Sequence, residues 1–238
     1  MNYLHIILLL ILLISLILDY LSFNSKKTSL QLVNDMGIGY NLGNTYNCCN
    51  TLEEKDSGYE EIKLWGTIFP TKNILKEIRK NGFKTIRFQI LYTNYIYNND
   101  KINFEWINKI KELINSINKL DMYLILSIKH TREFWYSEGK NSENKYIYFW
   151  SQIANELISY DEHLIFESIY EIGYLIYLGI YNDEDEDYYL SQDFINIIRN
   201  SGGLNNERLL IIPMIISDYE LELYSFDNNE YKNSKRSI

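Results

Sequence analysis

The chain has 238 residues, 46% of them hydrophobic, which suffices for one sizeable core and favours a single domain. Its formal net charge of −9 would repel a nucleic-acid backbone, and no basic stretch offsets it, so nucleic-acid binding is set aside. The 22 Tyr and 4 Trp suit sugar stacking, although a general bias towards Ile, Asn, Lys and Tyr accounts for much of the Tyr count.

The first element is a leader. Ile6 to Leu18 is an apolar run interrupted by Ser15, shorter than the roughly 20 residues of a full bilayer span. No Lys or Arg precedes it, and Lys26 and Lys27 follow it. Two expectations stay open: a signal peptide over residues 1–24 of a secreted chain, or an uncleaved membrane anchor over residues 4–21. A polar link, Asn24 to Thr28, leads into the domain expected over residues 29–238.

Strand-like and helix-like segments then alternate. A strand is predicted over Gly37–Asn41. Cys48 and Cys49 are adjacent, too close for an unstrained bridge and too few for a zinc set, and are read as a free pair. A helix over Thr71–Lys80 has Ile74 and Ile78 four apart, and a strand follows at Thr85–Ile90. Glu105–Leu120 carries Trp106, Ile110, Leu113, Ile114, Ile117 and Leu120 along one helical stripe, and Met122–Ile128 is the next strand. Phe149–Tyr160 repeats the helical pattern before the strand Leu164–Ile169. The acidic run Asp183–Asp187 reads as a solvated loop. A last helix around Phe194–Arg199 stops at the glycines of "NSGG", and Leu209–Met214 is a fifth strand.

Five rounds of strand and helix predict an α/β fold with a parallel sheet and helices outside it. A closed (β/α) barrel and an open doubly wound sheet both fit, and both place their chemistry beyond the carboxyl ends of the strands. Glu171, in "LIFESIYEI", follows its strand directly and falls in that zone. "GIGYNLG" misses the nucleotide-binding glycine spacing by one position.

Five stretches, in order, carry a family resemblance: "MGIGYNLGNTYN" (36–47), "NGFKTIRFQI" (81–90), "INFEWINKIKELINSINKLDMYLILSIKHT" (102–131), "WSQIANELISYDEHLIFESIYE" (150–171) and "IRNSGGLNNERLLIIP" (198–213). The chain resembles glycoside hydrolase family 5, the cellulase or endo-β-1,4-glucanase group of (β/α)8 TIM barrels. The resemblance implies retaining hydrolysis of β-1,4-glucans, with no cofactor and no metal. It places Glu171 at the proton donor and Arg87 at the arginine that orients the catalytic carboxylates. It also places His130 at the surviving member of a histidine pair, with Lys129 at the other. Tyr170 stands where the family has the Asn that holds a sugar hydroxyl, Ile172 replaces a Pro, and Tyr92 replaces a Trp. Trp135 is a candidate sugar platform, with core packing an equal alternative, whereas Trp65 and Trp150 read as core.

The same resemblance covers five βα units out of eight, so an incomplete barrel is expected. Retaining glycosidases use two carboxyl groups about 5–5.5 Å apart. The family's nucleophile follows the seventh strand, beyond the matched stretches. Glu167 lies too deep along its strand to pair with Glu171, and Glu220 and Glu222 are poor substitutes. The 238 residues as written are therefore expected to be impaired or inactive, with a β-glucan-binding role or a degenerate chain as the alternatives.

Overall fold

The computed structural model describes residues 11, 13–14, 27–46, 70–91, 100–129, 141–169 and 184–212. In chain order these form α1 (Ser29–Met36), β1 (Gly39–Tyr46), α2 (Lys72–Lys80), β2 (Thr85–Leu91), α3 (Phe104–Asn118), β3 (Tyr123–Lys129), α4 (Asn141–Glu156), β4 (Leu164–Glu167), α5 (Glu184–Asn200), a short 3-10 turn (Gly203–Asn206) and β5 (Leu210–Ile211). The strands make one parallel sheet in the order β1-β2-β3-β4-β5. A doubly wound sheet reverses its strand order at a switch point. This one never does, so the winding is that of a barrel wall, open between β1 and β5 among the described residues.

The two faces of the sheet have different covers. Even-numbered strand residues, from Leu42 through Ile86, Phe88, Leu124, Leu126, Leu164 and Phe166 to Leu210, are buried in one large cluster with the apolar stripes of α2 to α5. The predicted stripe of α3 is realised: Trp106, Ile110, Leu113, Ile114 and Ile117 are all buried. Trp150 is fully buried in the same cluster, edge-on to Phe194, which confirms its reading as core. The odd-numbered residues Tyr123, Ile165 and Leu209 face the other way and pack around Leu32 of α1.

The sequence reading gave no helix at α1. Its signal is a capping box: Thr28 Oγ1 accepts from Gln31 N at 3.2 Å, and Gln31 Oε1 accepts from Thr28 N at 2.8 Å. Lys27 ties this plug to the sheet, donating to Asp35 at 2.8 Å and to the Tyr123 hydroxyl at 3.2 Å. The plug therefore closes the amino-terminal end of the sheet and leaves the carboxyl end for chemistry.

Several boundaries moved: β1 runs Gly39–Tyr46 rather than Gly37–Asn41, and β4 ends at Glu167 rather than Ile169. Helix α4 begins at Asn141 rather than Phe149, with Tyr146 as a buried residue of its extra turns. Glu184–Asp187 opens α5 instead of forming a solvated loop. Acidic residues favour a helix's first turn, where the backbone N–H groups carry partial positive charge. Strand β5 is shorter than predicted, ending at Ile211 among the described residues. The glycine stop after α5 holds: Gly202 and Gly203 have φ of 78° and 55°. A Cβ on Gly203 would also meet Ile158 Cγ1 at 2.7 Å, so the position needs glycine twice over.

Arg208 knots the lower edge of β4 and β5. Its guanidinium donates to the carbonyls of Tyr160 (2.7 Å), Leu164 (2.7 Å) and Asp161 (3.0 Å) and to Asn205 Oδ1 (2.6 Å), and it lies over the Phe166 ring. Burial lowers its pKa to about 10, far enough above neutrality for the charge to persist.

Leu32→Ala should destabilise the protein by about 2–5 kcal/mol in urea unfolding, since Leu32 is 1% exposed at the centre of the plug. Leu30→Ala, at a position 70% exposed, should stay within about 0.5 kcal/mol. Equal effects would remove the plug from the account. A second expectation concerns His163, which stacks on Tyr123 and contacts Asp161 at 3.1 Å. That hydrogen bond, with the nearby acidic charges, raises its pKa above the ordinary value near 6.5. Its contribution is complete below the unfolded-state pKa and disappears as pH rises through the higher folded value. Stability should thus fall as pH is raised from about 6 to 8, and His163→Gln should flatten the curve; parallel curves would contradict it.

Candidate active site

Arg87 sits in β2 between Ile86 and Phe88, both fully buried on the helix side. Strand alternation therefore turns Arg87 to the inner face. Its register partner in β1 is Asn41 and in β3 Ile125. Above the apolar layer of Tyr123, Ile165 and Leu209 the inner face becomes polar. Arg87 Nε donates to Glu167 Oε2 at 2.6 Å and Nη2 to Oε1 at 2.5 Å, a two-point grip across β3. Nη2 also reaches Ser127 Oγ at 3.4 Å, and Nη1 reaches Asn41 Oδ1 at 3.3 Å. Four strands thus contribute one side chain each to a single polar cluster that spans two adjacent rows.

The pair is semi-enclosed: the Arg87 and Glu167 side chains are 25% and 11% exposed. Gln89 and Ser127, on the neighbouring row, are buried with them. Ser127 is paired in register with Glu167. Strand periodicity ends at this layer, because Ile169 joins the helix-side cluster with Phe166. The period-two step that would carry the face of Glu167 on to residue 171 is therefore broken at Ser168.

Of the site residues expected from the sequence, Arg87 is the one that the structure describes. Tyr92, His130, Trp135, Tyr170 and Glu171 lie outside the described residues, as do Cys48, Cys49, Trp65, Glu220 and Glu222. In sequence, Tyr92 directly follows β2 and His130 directly follows β3, while Glu171 comes four residues after the end of β4. Asn41, Ser127 and Glu167 are partners of Arg87 that the sequence reading did not assign. Glu167 had been considered only as a partner for Glu171. Among the described residues no group of three His, Cys, Asp or Glu side chains gathers as a metal site would require.

Comparison with known proteins defines the class as a cellulase-type glycoside hydrolase. Endoglucanase A of Paenibacillus barcinonensis is 32% identical over 203 residues, 78% of this chain and 48% of that protein. A GH5-4 broad specificity endoglucanase from an uncultured bovine rumen ciliate superposes with a TM-score of 0.68 at 37% identity, covering 78% of this chain and 52% of that one. A glycoside hydrolase 5 lichenase from Caldicellulosiruptor sp. F32, solved as a mutant with cellotetraose, gives 0.67 at 25% identity, over 79% and 55% of the two chains. The model of the cellulase family, glycosyl hydrolase family 5, matches residues 44–234, and the chain belongs to that family. Its sheet matches the wall of that family's (β/α)8 barrels. The chain spans about half the length of the curated relatives it matches.

Removing one member of an enclosed ion pair leaves the other charge stranded, typically a loss of about 3–5 kcal/mol. The partial exposure of Arg87 screens that loss, so Arg87→Met should cost on the order of 2 kcal/mol in urea unfolding at neutral pH. Unchanged stability would show that Glu167 is solvated in solution and that the two-point grip does not persist.

Proposed function

We propose that the chain carries the acid half of a retaining endo-β-1,4-glucanase site. Glu171 is the proton donor in this reading and gives its proton to the leaving glycosidic oxygen. Arg87 holds the catalytic carboxylates in place through its positive charge and its donors. Tyr92, His130, Trp135 and Tyr170 contact the sugar. The observation that carries the proposal is the polar layer around Arg87 at the carboxyl end of the parallel strands, where barrel enzymes place their chemistry. In sequence Glu171 comes four residues after β4, the strand that supplies Glu167 to that layer. Membership of a cellulase family supports a β-glucan as the substrate class, as does cellotetraose in the lichenase relative. The apolar leader supports export, with membrane attachment only where the leader is retained.

Double displacement needs a second carboxylate to attack the anomeric carbon. Glu167, the buried carboxylate among the described residues, has both oxygens on Arg87 and is not free for that attack, so in this reading the chain binds glucan without turning it over. The alternative to a catalytic domain is a module that holds β-glucan and does not cut it.

Two assays on the purified 238-residue chain separate these readings. A pull-down on insoluble cellulose should retain the protein, and reducing-sugar release from carboxymethylcellulose should stay at background. Glu171-dependent sugar release would overturn the inactivity and establish the enzyme. Folded protein with neither binding nor release would overturn the glucan reading altogether.

A further inference from the structure

We propose that Glu167 is a positioning residue, the anchor that fixes the guanidinium plane of Arg87 at the mouth of the sheet. The inference rests on the glucanase reading for its meaning, since the orientation of Arg87 matters to catalysis only if this cleft is the catalytic one. It goes beyond that reading in assigning work to a second carboxylate, to which the reading gives no part.

Three observations carry it. Glu167 is the single carboxylate among the described residues that the fold buries. A buried carboxylate is costly unless it is paired and hydrogen-bonded, and both of its oxygens are used on one partner. The edge engaged is the Nε–Nη2 side of the fork, which sets the plane and not merely the position of the group. Asn41 at Nη1 then meets a group whose direction is already fixed. A purely structural role explains little, because an apolar pair at such a site is generally as stable or more so. Two residues earlier the same strand face carries an apolar residue, Ile165, fully buried.

The test reads Arg87 directly. The Arg87 Nε–H resonance is assigned by its disappearance in Arg87→Lys, and its exchange with water is measured in the ligand-free chain. Glu167→Gln should speed that exchange on the order of tenfold while the backbone amide spectrum is retained, and Ser127→Ala should change it little. Should Glu167→Gln fail to fold, Glu167→Asp, shorter by one methylene, should give a smaller acceleration of the same kind. An Arg87 exchange rate identical in wild type and in the folded Glu167 variant overturns the proposal. Cellotetraose titration supplies the second arm. Glu167→Gln and Arg87→Lys should each weaken binding about tenfold, and the double variant should be no weaker than Arg87→Lys alone. Effects that multiply would mean that Glu167 does not act through Arg87, which also overturns the proposal. A wild-type chain that protects the Arg87 Nε–H but binds no cellotetraose refutes the glucan reading and leaves the anchor standing.

Discussion

A parallel strand has two faces to bury, and the unequal way in which this sheet buries them decides everything else. The even-numbered residues are covered by α2 to α5 in one continuous apolar cluster. That cover is complete over β2, β3 and β4 and thins at β1, where Tyr40 is 41% exposed. At the amino-terminal end α1 covers the odd-numbered residues by inserting Leu32 between Tyr123, Ile165 and Leu209. Above that plug the inner face has no apolar lid among the described residues. The polar side chains there, Arg87, Ser127 and Glu167, satisfy one another beside the partly buried Ile211.

The ion pair follows from this arrangement. Arg87 and Glu167 are separated by 80 residues and by an intervening strand, yet the fixed parallel register brings them into two-point contact. Neither could hold that geometry on a flexible element. Ser127, between them on β3, is small enough to let the fork pass and polar enough to accept from it. Replacing the small side chain at this point with a bulky apolar one would separate the pair, since the two flanking strands are held at fixed spacing.

Much of this was legible in the sequence, and the omissions have physical causes. Strands and helices were found where periodicity was strong: the α3 stripe and the alternation around Arg87 both depend on one face being buried. The orientation of Arg87 is readable from its two apolar neighbours, Ile86 and Phe88. Its partner did not, because pairing across a third strand depends on register, which a single sequence does not display. Helix α1 was missed for a different reason. Its eight residues bury only Leu32, so hydrophobic periodicity is faint, and the readable cue was the spacing of Thr28 and Gln31. The opening of α5 was misread because an acidic run suits a solvated loop and a helix start equally well until its downstream apolar stripe is counted. The family was legible from ordered motifs rather than from composition, whose Tyr content is shared by the whole chain.

Pairing Arg87 with Glu167 also shapes the field at the mouth of the sheet. A lone guanidinium there would present a full positive charge and draw in any anion. With a carboxylate on one edge, the pair is close to neutral at a distance. A near-neutral field suits a neutral, hydroxyl-rich ligand better than a charged one, because hydroxyls gain little from net charge. It also limits how far Arg87 can depress the pKa of an acid nearby, since the opposing charge of Glu167 partly cancels its influence. On the proposed glucanase reading, where a proton donor must keep its proton near neutral pH, a partly neutralised arginine serves better than an unpaired one.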